Sequence, residues 1–187
     1  MIMKTNEQLI LVDEQDSPTG EMEKIEAHEK GLQHRAFSIL IYNKHGEVLL
    51  QKRNPNKYHS GGLWTNTCCG HPRPHERTEQ AAHRRLQEEM GFQCPLKHEF
   101  VTYYKVDLDN GLTENEIVHF YAGTFEGDFT INPDEVEEWT WLRLSDFKNN
   151  ILQSKDYSYW FSFYLQKHWD HLCRLEQSYK CSPLEKA

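Results

Sequence analysis

Two pairs of side chains in this sequence have the types and spacing needed to bind a cation or a phosphate group. Glu114 and Glu116 lie two residues apart in a stretch typical of a β-strand, so both carboxylates project from one face and can share a metal ion. Arg85 and Glu89 lie four residues apart in a helical pattern and also share a face. A guanidinium on that face can bind phosphate through two parallel hydrogen bonds.

The stretch from Gly70 to Phe92 resembles the Nudix box, G-x5-E-x7-R-E-U-x-E-E-x-G-U, where U is an apolar residue. Arg85 stands where that pattern has Glu. In Nudix hydrolases the carboxylates of this helix gather divalent cations that hold a diphosphate. The positions that match are Gly70, Glu76, Arg84, Leu86, Glu88, Glu89, Gly91 and Phe92.

A second motif narrows the resemblance to one Nudix family. Residues 64–72 read WTNTCCGHP, which resembles the W-T-N-x-x-C-G-H-P signature of type I isopentenyl-diphosphate isomerases. Residues 114–116 match the E-N-E motif of that family, and the resemblance extends from Pro18 to about Ser162. It implies an α+β, Nudix-type fold with mixed β-sheets flanked by helices. It also implies interconversion of isopentenyl and dimethylallyl diphosphate in isoprenoid biosynthesis.

The resemblance further implies a centre for one divalent transition metal. Three imidazoles and two carboxylates favour Mn²⁺, with Zn²⁺ or Fe²⁺ as alternatives, over Mg²⁺, which prefers oxygen ligands and water. The implied ligands are His28, His34, His71, Glu114 and Glu116. The remaining histidines, among them His45, His59, His83, His98 and His168, are expected at the surface.

The substrate implied by the family is a small-molecule diphosphate. Glu89 is expected to hold a Mg²⁺ ion that binds together with this diphosphate. The family's basic diphosphate-binding residues correspond to Lys24, Arg53, Lys57 and Arg85.

The family transfers protons on opposite faces of its substrate, through a transition state with carbocation character. By this resemblance Cys69 acts on one face, and Glu116, bound to the metal, acts with Tyr104 on the other. Which group protonates in the forward direction is left open. An aromatic residue near the C-terminus lines the pocket in this family, and either Trp160 or, with a slip of one residue, Tyr159 fills that place; we prefer Trp160.

The chain has two adjacent thiols, and only one of them fits the motif. Cys69 directly precedes Gly70 and His71, as the signature requires. In extended backbone it also points to the same side as His71, whereas Cys68 points to the other side. We therefore expect Cys69 to be the reactive thiol.

The elements that must position these residues can be read from hydrophobic periodicity and turn residues. Strands and helices are mixed without strict alternation, which is typical of the α+β class. We predict strands at 8–12, 36–42, 47–51, 101–107, 113–125 and 138–142, and helices at 77–90, ended by Gly91, and at 159–171.

Composition predicts one domain, residues 1–187, in the cytoplasm. The formal charge of −8 argues against nucleic-acid binding, and no apolar stretch is long enough to span a membrane. Five cysteines, two of them adjacent, fit a reducing compartment better than a disulfide framework. We expect a monomer or a weak homodimer.

Two other functions share parts of this pattern. A Nudix hydrolase would bind a diphosphate on the same fold, but it would have Glu at position 85 and no use for the thiol. A non-catalytic diphosphate-binding module would explain the altered box but would leave Cys69, Tyr104 and Glu116 without a role.

Overall fold

Nine strands of one mixed sheet and five α-helices form between residues 7 and 181, the part of the chain that the computed structural model describes. The ends of the predicted domain, residues 1–6 and 182–187, lie outside the described residues. The strands are β1 (Gln8–Val12), β2 (Pro18–Glu23), β3 (His34–Tyr42), β4 (Val48–Arg53), β5 (Trp64–Thr65), β6 (Cys68–Gly70), β7 (Leu96–Asp107), β8 (Thr113–Thr124) and β9 (Val136–Leu142). The helices are α1 (Lys24–Glu29), α2 (Thr78–Met90), α3 (Leu144–Gln153), α4 (Tyr159–Lys167) and α5 (Trp169–Cys181).

Strand β3 lies at the centre of the sheet and is buried on both faces. Successive side chains of a strand point to opposite faces, and β3 is apolar on both. Leu40 and Tyr42 pack into a cluster with α4 and α5, whereas Ile39 and Ile41 pack into a cluster with α2. The sheet is therefore a layer between helices, as the predicted α+β class requires.

The pairing of three strands determines which side chains meet at the site. Strand β8 runs parallel to β3, with Glu116 opposite His34. Strand β7 runs antiparallel to β8, with Tyr104 opposite Glu116. On the other side of β3, the short strand β6 places Cys69 opposite Ser38.

Helix α2 confirms the predicted helix within one residue. Its buried side chains, among them Ala82, Leu86 and Met90, pack on the face of the sheet that carries Ile39. The helix ends at Gly91, which has a left-handed φ of 77°. A Cβ atom on Gly91 would lie 2.1 Å from the backbone oxygen of Thr130.

The predicted helix at 159–171 is wrong in one respect, because the chain breaks at His168 into α4 and α5. The His168 ring stacks on Phe100 of β7 at 4.1 Å, and its Nε2 atom lies 2.9 Å from Thr102 Oγ1. These contacts with the sheet outweigh the local preference for a continuous helix. The periodicity of the sequence also did not predict β2, β5, β6, α1 and α3, which are short or mostly exposed.

No helix between residues 7 and 181 is long and apolar enough to cross a membrane. The four cysteines whose side chains the structure describes, Cys68, Cys69, Cys94 and Cys173, are free thiols.

Replacing Gly91 with alanine should destabilise the protein by more than the backbone strain alone. The left-handed φ costs about 1–2 kcal/mol for a residue with a side chain, and the clash with Thr130 adds about 1–3 kcal/mol. Gly111→Ala is the matched control, because Gly111 has a φ of 74° and nothing lies within 4 Å of its Cβ position. Urea unfolding measures both free energies. Equal losses in the two variants would show that the close approach to Thr130 has no energetic effect.

Candidate active site and metal centre

The site lies where β7, β8 and β3 bring three polar side chains into one row. Tyr104, Glu116 and His34 occupy directly opposite positions on these neighbouring strands, so they project from the same face. Farther along β8 the same face carries Val118 and Phe120, which belong to the core under α4 and α5. The site is thus the polar end of an otherwise apolar sheet face.

Three buried imidazoles surround the carboxylate of Glu116. One ligand atom from each of His28, His34, His71 and Glu116 lies within 4.8 Å of all the others. Glu116 Oε1 is 2.9 Å from His71 Nε2 and 3.4 Å from His34 Nε2. This set brings together four of the five predicted ligands.

Backbone carbonyls fix the orientation of two of these imidazoles. His28 Nδ1 lies 2.7 Å from the oxygen of Lys24, and His34 Nδ1 lies 2.8 Å from the oxygen of Leu32. A carbonyl oxygen only accepts, so each Nδ1 carries the proton and each Nε2 carries a lone pair. Both Nε2 atoms are buried, and neither has a hydrogen-bond partner among residues 7–181. In metal-binding histidines, the ring nitrogen that does not bind the metal usually donates a hydrogen bond in this way.

Burial keeps two of these imidazoles, those of His28 and His71, in the neutral form that binds metal. It lowers the pKa of His28 to about 3, with further lowering by His34 and His71, and it also lowers the pKa of His71. Burial alone would raise the pKa of Glu116, but its contacts with His34 and His71 hold it well below its usual range. Neutral imidazoles beside an ionised carboxylate can hold a divalent transition metal.

Glu114 lies in the same cavity and shares one partner, Tyr104, with Glu116. Tyr104 Oη is 2.7 Å from Glu114 Oε2 and 2.7 Å from Glu116 Oε2. A phenol has one proton to donate, so it can serve only one carboxylate at a time. Burial, and then the charge of Glu116, raises the pKa of Glu114 to about 8. The Tyr104 hydroxyl therefore links the protonation of the two carboxylates.

The surface position expected for His59 is wrong. Its side chain is buried, and its Nε2 lies 3.3 Å from Glu114 Oε1. One ligand atom each from His28, His59 and Glu114 forms a second set within 4.8 Å. His59 follows Arg53 in a loop without hydrophobic periodicity, so no pattern in the sequence indicated that it turns inward.

The two adjacent thiols face opposite sides of β6. Cys69 lines the cavity with Tyr104 and Glu116. Cys68 is fully buried in the core cluster of α2 with Leu86. Burial raises the pKa of Cys69 to about 12, so it holds its proton at neutral pH. The two side chains thus point to opposite faces of β6, as expected for adjacent residues of a strand.

Trp160, and not Tyr159, reaches the cavity. Trp160 is 2% exposed, and its Nε1 donates to Asn66 Oδ1 at 3.2 Å. The guanidinium of Arg53 lies 5.3 Å from the centre of its ring. Tyr159 is 44% exposed and does not line the cavity, although its ring lies 5.9 Å from that of Tyr104.

All four predicted basic residues line the cavity, and several have acidic neighbours that sequence reasoning did not predict. Lys24 pairs with Glu7 at 2.9 Å, and Lys57 pairs with Glu135. Arg85 bonds to Glu88 at 2.7 Å and to Glu89, and lies 3.2 Å from Glu135. Arg53 keeps one buried nitrogen, Nε, without a partner among the described residues.

Glu89 lies on α2 and lines the same cavity as His71. It is buried, and its Oε2 accepts a hydrogen bond from Gln51 Nε2 at 2.8 Å. Its neighbour Arg85 and the loop residue Glu135 line the same wall. A cation held by Glu89 would thus sit among groups that can also bind a diphosphate.

The sequence of the chain was compared with those of known proteins, and it matches one family. Residues 32–161 match the model of the NUDIX domain. The chain is 48% identical over 155 residues to an isopentenyl-diphosphate Delta-isomerase of Pectobacterium atrosepticum, a match covering 82% of this chain and 87% of that protein. It is 53% identical over 138 residues to the isopentenyl-diphosphate Delta-isomerase of Burkholderia multivorans, covering 73% and 77%.

The fold is also shared with solved structures of low sequence identity. A protein of Deinococcus radiodurans has a TM-score of 0.72 at 16% identity, covering 86% of this chain and 98% of its own. A MutT protein of Methanosarcina mazei has a TM-score of 0.57 at 21% identity, covering 79% and 96%. These likenesses confirm the expected Nudix-type fold.

The purified protein should contain a bound divalent transition metal, and His71→Ala should lower its affinity by ~100-fold or more, beyond the ~10–100-fold typical of residues that only orient a ligand. His71 contributes a buried imidazole beside Glu116, whereas His45 is exposed. His45→Ala is therefore the matched control. Elemental analysis after dialysis measures the metal in each variant. If the His71→Ala variant kept the metal content of the wild-type protein, His71 would not be a ligand of the metal.

Proposed function

Since the chain belongs to the Nudix family and, within it, to the isopentenyl-diphosphate Delta-isomerases, we propose that it interconverts isopentenyl diphosphate and dimethylallyl diphosphate. The observation that carries the proposal is one cavity lined by the Cys69 thiol, the Glu116–Tyr104 pair and four basic side chains. The basic side chains suit a diphosphate, and the thiol and carboxylate suit proton transfer at the hydrocarbon end. We further propose that residues 1–187 act as one cytoplasmic domain.

The reaction moves a double bond by exchanging one proton for another. A proton is added to the terminal CH₂ carbon of isopentenyl diphosphate, which becomes a methyl group. A second proton leaves the carbon next to the CH₂–O group, and its electron pair forms the new double bond. Cys69 serves one face of the substrate, and Glu116 with Tyr104 serves the other. Each group that is an acid in one direction is a base in the reverse direction.

The surroundings of each group suit this task. Because burial raises the pKa of Cys69, the thiol keeps its proton until the substrate is in place. Tyr104 contacts both Glu114 and Glu116 and can relay a proton between them. The alkene is a weak base, so an acid aimed at it in a water-poor cavity is needed.

Aromatic faces stabilise the positive charge that develops on the substrate. Trp160 and Tyr104 are both buried and both line the cavity. A cation over such a ring gains about 2 kcal/mol in a desolvated site.

The diphosphate is the anchor of the substrate. Lys24 and Lys57 pair with Glu7 and Glu135, and these acidic neighbours keep the basic groups in place before substrate binds. Arg53 lines the same cavity, and its buried Nε atom has no hydrogen-bond partner among the described residues. Mg²⁺, brought with the diphosphate, would be held by Glu89.

The metal centre fits the residues that surround it, because two buried Nε2 atoms lack partners among the described residues. His28, His34, His71 and Glu116 would hold the ion, with Glu114 close by; Mn²⁺ suits this donor set, and Zn²⁺ or Fe²⁺ are alternatives. When bound, a divalent ion makes a coordinated carboxyl a stronger acid. His71 and Tyr104 orient the Glu116 carboxylate, and the hydrogen bond from Tyr104 couples the protonation of the two groups.

Cys69→Ala should lower kcat by about 10²–10⁴-fold with little change in KM, because the thiol transfers a proton and does not bind the diphosphate. Cys68→Ala is the matched control, since Cys68 packs against α2 outside the cavity. Steady-state kinetics with isopentenyl diphosphate separates kcat from KM. A larger loss of kcat in Cys68→Ala than in Cys69→Ala would reverse the assignment of the two thiols.

In D₂O the product should gain deuterium at its new methyl group, and no phosphate should be released. The reason is that thiol and carboxyl protons exchange with solvent, whereas the diphosphate stays intact throughout. Mass spectrometry and a phosphate assay measure the two quantities. Product without deuterium would exclude transfer through these groups, and stoichiometric phosphate would indicate a Nudix hydrolase.

Arg85→Glu provides a further comparison within the same experiment, because it restores the carboxylate of the Nudix box. This variant should raise KM through loss of a phosphate-binding group without producing hydrolysis. Arg77→Glu is the control, since the Arg77 side chain is exposed at the start of α2.

A further inference from the structure

His59 is held in the cavity by contacts on several sides. Its ring meets Trp160 edge-on at 5.8 Å and Tyr58 edge-on at 4.3 Å. Its backbone oxygen accepts a hydrogen bond from Arg53 Nη2 at 3.2 Å. The side chain is only 5% exposed. These contacts hold the imidazole in one orientation.

That orientation aims one ring nitrogen at Glu114. His59 Nδ1 is 3.2 Å from Ser60 Oγ, which leaves Nε2 to face Glu114 Oε1 at 3.3 Å. This distance is just beyond the usual range of an N–H···O hydrogen bond. Neighbouring ligands of one ion at bond lengths near 2.1–2.2 Å lie roughly 3 Å apart. The two atoms are thus placed as adjacent ligands of a common cation are placed.

A third ligand atom points to the same place. His28 donates from Nδ1 to Lys24, and its Nε2 is fully buried without a hydrogen-bond partner among residues 7–181. One ligand atom each from His28, His59 and Glu114 lies within 4.8 Å of the other two. A buried polar atom without a partner costs stability unless a ligand satisfies it. The nearby lone pairs identify a cation as that ligand.

We propose that His59 is an additional imidazole ligand of the metal centre, binding a divalent transition metal together with His28 and Glu114. The inference rests on the metal centre of the proposed function and extends it by one residue. His28 Nε2 has a single lone pair and binds one ion at a time. His59 is therefore assigned to the ion that His28 binds with His34, His71 and Glu116, and not to a second ion. The atoms of the two sets do not all lie within 4.8 Å of one another, so a common ion would draw His59 and Glu114 closer to the other ligands.

A different role would leave His59 outside the centre. If its Nε2 carried the proton, His59 would only orient Glu114 by donating to it. A glutamine at position 59 can also place an N–H group beside Glu114, but it has no imidazole lone pair. The two roles therefore differ in whether the nitrogen atom of residue 59 is bonded to the metal.

The test uses the full chain stripped of metal and titrated with Co²⁺, whose visible absorption reports the number and type of its ligands. His59→Ala and His59→Gln should both weaken Co²⁺ binding by ~100-fold or more, beyond the ~10–100-fold typical of residues that only orient a ligand. Both should change the visible spectrum in the same way. Added imidazole should restore the wild-type spectrum in His59→Ala by filling the vacated position.

His98→Ala is the matched control, because His98 is an exposed imidazole on the far part of β7 and should leave binding and spectrum unchanged. Thermal unfolding of each metal-free variant shows that it is folded. A wild-type spectrum in His59→Gln, or a loss below tenfold in His59→Ala, would overturn the assignment of His59 as a ligand. Failure of the wild-type protein to bind Co²⁺ would overturn the metal centre itself.

Discussion

The register of β3, β8 and β7 is the constraint on which the site depends. His34, Glu116 and Tyr104 are neighbours because their strands pair at those positions. Side chains alternate between faces, so a slip of one residue in β8 would turn Glu116 away from both partners. The same slip would expose Val118 and Phe120, which pack under α4 and α5. Burial of the apolar half of β8 therefore also fixes the register of its polar half, which carries Glu116.

Burial then determines the chemistry of the groups so placed. Carboxylates removed from water are costly unless they are paired, and the phenol of Tyr104 and the imidazole of His71 supply that pairing for Glu116. The same burial disfavours protonated imidazole, which leaves nitrogen lone pairs free for a metal. The chain is acidic overall, and the cavity proposed to receive the diphosphate is lined by four basic and five acidic side chains. Binding of an anion there therefore depends on where the basic groups lie and not on the sum of the charges.

Sequence reasoning succeeded where one residue pattern determines one structure. The helical spacing of α2, its glycine stop, and the alternation that separates Cys68 from Cys69 all follow from local geometry. It failed where the structure depends on distant contacts. The break at His168 depends on packing against β7, and the inward turn of His59 depends on Trp160 and Arg53. Neither pairing has a periodic signal, so motif and periodicity cannot reveal it.

Arg85 links the departure from the Nudix box to the change in chemistry. A hydrolase uses the carboxylates of this helix to gather cations that direct water at phosphorus. Here the guanidinium bonds to Glu88 and Glu89, which lowers the negative charge on that face of α2 and adds a donor for phosphate. Glu116, the carboxylate proposed to move a proton, lies instead on β8 beside Tyr104, in the cavity that Trp160 also lines. In the proposed function the helix therefore serves the diphosphate, whereas the sheet carries the reactive acid for the substrate's carbon atoms.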